Sequence, residues 1–283
     1  MTRDAVIVST ARTGIGRAYR GFFNDTEAPV LSDHVVRAAI QRSGIDPARI
    51  DDIFLGVGTQ SGTQSYNLGR LTAATGGVPN APGFALDRKC GSGLTAVALA
   101  ARSIIADDID VAVAGGVESI SLTLNKHAMT YRNRSDAVIA AEPHAYMAMI
   151  ETAEVVAQRY GISRAVQDEF AAQSQQRAAA AAREGRFADE ITPIKVQKAI
   201  LDKAGEQTGQ EDVMVDRDEA STEDSRSPPA LPRKWASGPS WRFRNCWSAR
   251  GLKLRTSISG KSTRPSPARL SIAAISSALI PIG

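Results

Sequence analysis

Residues 94–106 are apolar on almost every side and lie between two short strand-like runs, residues 83–88 and 110–116. A helix with no polar face is one buried all round, so this helix is expected at the centre of the molecule. Strand, helix and strand in that order imply a right-handed parallel crossover, hence a layered α/β domain. The preceding sequence follows the same alternation. Residues 4–10 form a β-branched run suited to a strand covered on both faces, and residues 52–58 form a second. Between them Ser32 reads as the cap of an amphipathic helix with Val35, Val36, Ala39 and Ile40 on one face and a stop at Gly44. Residues 66–75 read as a helix ended by Gly76-Gly77.

Beyond residue 119 the pattern loosens into a polar excursion carrying basic and aromatic residues, to about residue 146. Helices return over residues 152–160 and, after a Gly161 stop and a Ser163 cap, over residues 164–183. Residues 191–196 read as one more strand, and residues 215–219 end the readable part. Three stretches follow: residues 1–119, a core half; residues 120–219, a loop region that returns to the core; and residues 220–283, a tail.

Charge marks that last boundary. The 283 residues carry a net +4. Residues 1–219 hold 23 Lys+Arg against 28 Asp+Glu, whereas residues 220–283 hold 11 against 2. All three tryptophans, Trp235, Trp241 and Trp247, lie in the tail. A basic tail usually suggests nucleic acid or a membrane surface, but Ser, Arg and Pro without apolar periodicity read as a non-homologous, disordered segment with no evolved fold. No specific nucleic-acid partner is expected. Gly260-Lys261-Ser262-Thr263 fails as a phosphate loop because Arg255 stands where its first glycine belongs. Gly14-Ile15-Gly16 likewise lacks the rest of a dinucleotide fingerprint. No apolar stretch reaches membrane-spanning length, and Met-Thr-Arg-Asp leads directly into strand sequence, so a cytoplasmic chain is expected. Two cysteines, Cys90 and Cys246, and three histidines, His34, His127 and His144, offer no zinc spacing, and no metal is expected.

Cys90 sits between a strand and the first turn of the apolar helix. Free helix-start amides and the dipole there favour a thiolate over a thiol, and Gly91 and Gly93 let backbone donors approach a reacting carbonyl. The plainer reading is a small core residue. The surrounding string, Asp87-Arg88-Lys89-Cys90-Gly91-Ser92-Gly93-Leu94-Thr95-Ala96, resembles the nucleophile segment of the thiolase family. Ala114-Gly115-Gly116-Val117-Glu118-Ser119-Ile120-Ser121 resembles its G-G-x-E-x-x-S segment. Further matches run in order: residues 7–16, residues 152–157, residues 168–175, residues 187–191, and Asp216-Arg217-Asp218-Glu219.

The resemblance implies a thiolase-like layered fold, of which this chain offers the N-terminal βαβαβαββ half plus the loop region, the C-terminal half being missing. In the intact family two such halves stack as five layers with the nucleophile helix in the middle one. It implies that Cys90 attacks an acyl-CoA thioester and passes the acyl group on, to CoA or to a second acyl-CoA, which splits one difficult exchange into two easier steps. Coenzyme A enters as co-substrate with no permanently bound cofactor, and family members are homodimers or tetramers. Met149-Ile150-Glu151 departs from the Met-Gly that commonly precedes the family's T-A-E triplet, which bears on the acyl pocket.

The family's N-E-A-F asparagine, G-H-P histidine and second, C-x-G cysteine are absent from the 283 residues. The chain as written is therefore expected to be inactive. A hypothesis explains the tail. Written as degenerate codons and regrouped one base earlier, residues 233–281 permit M-G-I-G-P and then W-E-I-N-E-A-F-A, in the family's order. This predicts a shift of coding frame near Ala220, and encoding DNA that does not spell these letters would refute it. Two rivals remain at this point. A β-ketoacyl synthase also uses a helix-start cysteine, though usually followed by serines. A non-catalytic thiolase-like binder of acyl-CoA or lipid would need no histidine.

Overall fold

The computed structural model describes residues 4–219 except Asp107 and Met129, and beyond them the backbone of two short strands. The elements are β1 (Val6–Ile7), β2 (Ser9–Arg12), α1 (Ala28–Ser43), β3 (Asp52–Gly56), α2 (Leu68–Thr75), β4 (Gly83–Leu86), α3 (Ser92–Ile105) and β5 (Ala112–Val117), followed by α4 (Ile120–Thr123), α5 (Asp136–Ala141), α6 (Met149–Arg159), α7 (Arg164–Arg183), β6 (Ile194–Leu201), β7 (Gln207–Val215), β8 (Arg255–Thr256) and β9 (Ala273–Ser277). Among the described residues two compact units result: residues 4–128 with 188–219 and the strands β8 and β9 in the first, residues 130–187 in the second. No helix among the described residues is long and apolar enough to cross a membrane.

The first unit is built on a sheet in the order β2-β9-β5-β3-β4, every neighbouring pair parallel. Successive side chains of a strand point to opposite faces, and β3 shows the consequence. Ile53 and Leu55 are fully buried and join Leu31, Val35 and Val36 of α1, Leu68 of α2, and Val113 of β5 in one apolar cluster. Each such side chain contributes roughly 1.5–3 kcal/mol by leaving water. Phe54, one residue out of phase, lies on the other face edge-on to Phe84 of β4, ring centres 4.9 Å apart. On that face α3 packs across β3 and β5.

The apolar helix is not enclosed on every side, contrary to expectation. Ala96, Val97, Ala100, Ala101 and Ile104 face the sheet and are buried, while Leu94 and Ile105 are exposed. One sheet can cover only one face of a helix, and the described residues place no second layer over α3.

The α1 start also differs. Ser32 lies within the helix, its hydroxyl donating to the Pro29 carbonyl (3.1 Å) and sharing a hydrogen bond with Thr72 Oγ1 (2.8 Å). The helix instead opens at Ala28 with a proline in its first turn, where a missing N–H costs nothing and the fixed φ suits helical geometry. The expected stop is as read: Gly44 adopts φ +67°. The strand expected at residues 191–196 is β6, which pairs antiparallel with β7. Sequence patterning missed β7 because most of it is polar and exposed; Lys195–Asp212 (2.6 Å) and Lys198–Glu211 (2.9 Å) ion pairs link the two strands.

In the second unit α7 spans the residues its sequence implies, and Ser163 Oγ accepts the Val166 N–H as its cap. α6 buries Ala153 and Ala157. The polar excursion expected over residues 119–146 contains the short helices α4 and α5. Of the tail, β8 pairs with β1 and β9 enters the sheet between β2 and β5. The disorder expected over residues 220–283 otherwise lies outside the described residues.

Candidate active site

Cys90 is a free thiol and is exposed, which removes the small-core-residue reading. It stands in the turn between β4 and α3, and that turn is assembled from its own short side chains. Asp87 accepts the Lys89 N–H (2.7 Å). Ser92 Oγ accepts the Arg88 N–H (2.8 Å) and donates to the Lys89 carbonyl (2.6 Å). Gly91 and Ser92 N–H groups donate to the Arg88 and Lys89 carbonyls at 3.1 and 3.0 Å. Lys89 is thereby held at φ +49°, the left-handed region that a non-glycine residue enters only under such constraint.

Two glycines let the first turn of α3 lie directly on the sheet. A Cβ at Gly56 would overlap the Ser92 carbonyl carbon and the Gly93 nitrogen. One at Gly116 would sit 3.0 Å from the Gly93 Cα. Both are at the C-terminal ends of neighbouring strands, so the Cys90 turn is carried where the parallel sheet ends, the usual place for a site in such sheets.

Beside it lies a polar cluster. The Glu118 carboxylate accepts the Gly58 N–H (2.8 Å), the Thr59 N–H and the Gln64 side-chain amide (2.5 Å). Gln64, fully buried, also donates to the Thr59 carbonyl (2.7 Å) and accepts the Ser119 N–H. Lys89 Nζ reaches the Gly58 carbonyl (3.1 Å) and pairs with Asp87. Burial disfavours the Asp87 charge, yet the Lys89 ammonium and amide bonds prevail and hold that carboxyl below its ordinary value. At Glu118 burial prevails over the Gln64, Gly58 and Thr59 donors, the Asp87 charge adds to it, and the carboxyl is pushed above its ordinary 4.5.

A carboxyl raised on folding binds its proton more tightly folded than unfolded. The stability it lends is complete below its unfolded value and is lost as pH rises through its folded one. Relative to Glu118→Gln, the natural chain is expected to lose stability as pH climbs from below 4.5 through the range just above it. Urea unfolding from about pH 4 to about pH 7 measures this; a stability difference flat across that window would contradict the assignment.

The thiolase N-terminal domain family matches residues 5–226. The chain belongs to the thiolase family. Among similar thiolases, it is 40% identical over 195 residues to a 3-ketoacyl-CoA thiolase of Bacillus subtilis, covering 69% of this chain and 49% of that protein. It is 36% identical over 207 residues to an acetyl-CoA acetyltransferase of Pseudomonas aeruginosa, covering 69% and 52%. The crystal structure of the Bacillus anthracis acetyl-CoA acetyltransferase superposes with a TM-score of 0.63 at 30% identity, covering 77% of this chain and 55% of that one. The chain thus spans about half the length of the curated thiolases it matches.

Within this part of the thiolase fold, three motif segments far apart in sequence meet. Arg12 pairs with Glu190 and, through two bonds, with Asp218. Glu118 was visible only as a motif letter, and Gln64 was missed altogether: a lone glutamine after a strand carries no local signal of its buried partner. His34 Nε2 lies 3.3 Å from the Thr192 carbonyl.

Proposed function

We propose that this chain is the nucleophile-bearing part of a thiolase-type acyltransferase, with Cys90 as its acyl-accepting residue. The carrying observation is an exposed thiol at the start of a helix seated on the C-terminal edge of a parallel sheet, in a chain that belongs to the thiolase family. Cys90 as thiolate attacks the carbonyl carbon of an acyl-CoA. The carbon–sulfur bond to coenzyme A breaks, CoA leaves as its thiolate, and the acyl group rests on Cys90 until a second CoA or acyl-CoA takes it.

The names of the relatives support CoA thioesters as substrates, 3-ketoacyl-CoA or acetyl-CoA among them. On this reading the setting is fatty acid metabolism, β-oxidation included. The chain is cytoplasmic, coenzyme A is co-substrate with no resident cofactor, and the assembled enzyme is a homo-oligomer. The core half with the nucleophile is residues 1–119, the loop region residues 120–219 and the unrelated tail residues 220–283.

Because the G-H-P, N-E-A-F and C-x-G groups are absent from the sequence, acylation without turnover is expected; lost donors and bases in such sites cost roughly two to four powers of ten in rate. Acetyl-CoA incubated with the purified chain is expected to leave an acetyl group on the Cys90 peptide and not on the Cys246 peptide, as read by mass spectrometry. Cys90→Ala abolishes the adduct. Acetoacetyl-CoA cleavage should stay at background. An unacetylated Cys90 peptide would overturn the acyl-transfer reading and leave a binder of acyl-CoA or lipid; brisk cleavage would overturn the inactivity.

A further inference from the structure

We propose that Glu118 is a positioning residue for the nucleophile, acting on Cys90 through the Gly58 carbonyl and Lys89; this rests on the reading of Cys90 given above. Glu118 makes no direct part of the cysteine turn. Its carboxylate instead fixes the strand exit at Gly58 and Thr59 by accepting both N–H groups, while Gln64 closes its other oxygen. Fixing the Gly58 N–H also fixes the neighbouring peptide plane, and the Gly58 carbonyl is one of the two acceptors of Lys89 Nζ, at 3.1 Å. Lys89 is the residue immediately before Cys90 and the one whose backbone is forced left-handed, at φ +49°.

The packing shows how tightly these groups are joined. A Cβ at Gly58 would lie 2.9 Å from Glu118 Oε2 and 3.4 Å from the Lys89 carbonyl oxygen. The ends of β3 and β5 and the turn after β4 therefore meet at one glycine with no room for a methyl group. A left-handed lysine is strained and persists only where its surroundings compel it. The compulsion comes from two sides: Asp87 takes its N–H and shares its ammonium, and the Gly58 carbonyl, held in place through Glu118, takes the ammonium as well. Removing the carboxylate frees the Gly58–Thr59 exit, the Lys89 anchor moves with it, and the Cys90 turn keeps only the restraints supplied by Asp87, Ser92 and its own amides. A half-buried carboxylate is a costly way to hold a strand exit that an apolar side chain would hold more cheaply, which fits a demand for directed hydrogen bonds.

Hydrogen exchange on the full chain reads the turn directly, whether or not acylation occurs. In Glu118→Ala the Gly91 and Ser92 amides, bonded to Arg88 and Lys89 carbonyls, are expected to exchange about tenfold faster. The amides of the middle of α3 should keep their protection. Glu118→Gln, which retains an acceptor for the Gly58 N–H, should recover most of the loss. Should Glu118→Ala fail to fold, Lys89→Met cuts the same link at a side chain that is 78% exposed and is expected to give the same local acceleration. Where the natural chain acylates, the first-order acylation rate at saturating acetyl-CoA should fall about tenfold with little change in its half-saturating concentration. Unchanged exchange at Gly91 and Ser92 in either folded variant overturns the proposal, even if acylation is slow. Failure of the natural chain to acylate at all, with the exchange effect present, overturns the acyltransferase reading alone.

Discussion

Replacing Arg12 with alanine is expected to cost about 3–5 kcal/mol of unfolding free energy, as for other buried ion pairs broken from one side. The guanidinium side chain is 10% exposed and the Asp218 carboxylate 12%. Arg12 Nε donates to Glu190 (2.9 Å), its two terminal nitrogens grip both Asp218 oxygens (2.6 and 3.0 Å), and one also donates to the Thr13 carbonyl (3.1 Å). Burial opposes the Arg12 charge, but the bonds to Asp218 and Glu190 overcome it and raise its pKa above the ordinary value. Without arginine, two carboxylates remain near one another and one of them is almost dry.

The loss propagates because Asp218 also accepts the Ile15 N–H (2.8 Å) and Glu219 accepts those of Arg17 (2.7 Å) and Phe22 (3.2 Å). The segment after β2 is thus sewn to the segment after β7, and Gly14 lies so close that a Cβ would strike the Arg217 carbonyl. Arg12→Lys should recover less than half, since an ammonium is a point charge and cannot match the forked geometry. Urea unfolding followed by far-ultraviolet circular dichroism measures both. A loss below about 1 kcal/mol for Arg12→Ala would mean that the pair behaves like a solvated surface bridge.

Gly56→Ala is expected to destabilise the first unit by about 1–3 kcal/mol through overpacking and, in addition, to displace Cys90. The added methyl would occupy the space of the Ser92 carbonyl and Gly93 nitrogen, both backbone atoms with no flexible end to swing aside. Relief requires lifting the first turn of α3 off the sheet, and the turn that holds Cys90 leads directly into it. Acetylation of Cys90 should therefore fall about a hundredfold, the scale of a misplacement near 1 Å. Gly44→Ala is the control: φ is +67° but nothing lies within 4 Å, so it should cost about 1–2 kcal/mol from backbone strain alone and leave acetylation unchanged. Equal acetylation in Gly56→Ala and the natural chain would separate the helix seat from the chemistry.

Local pattern made much of the framework readable. The β-branched runs became β1 to β5 with shifted ends, Gly44 and Ser163 punctuated their helices as expected, and α7 kept its bounds. These follow from interactions within a few residues: strand alternation, caps and a glycine free to turn left. The same local rules erred at Ser32, where Pro29 set the helix start and tertiary contact with Thr72 drew the hydroxyl inward. They were silent on β7, which owes its strand to its partner and not to its own apolar content. They placed Cys90 at a helix start but could not show that Gly56 and Gly116 are the floor on which that helix stands.

The alternation of strands and helices up to β5, the cysteine just before α3 and the family motifs were written in the amino acids themselves, because periodicity and short-range hydrogen bonding act along the chain. The union of Arg12 with Asp218, the Gln64–Glu118 bridge and the open outer face of α3 came into view in three dimensions. Each depends on groups tens to hundreds of residues apart, and no local pattern names a partner at that distance.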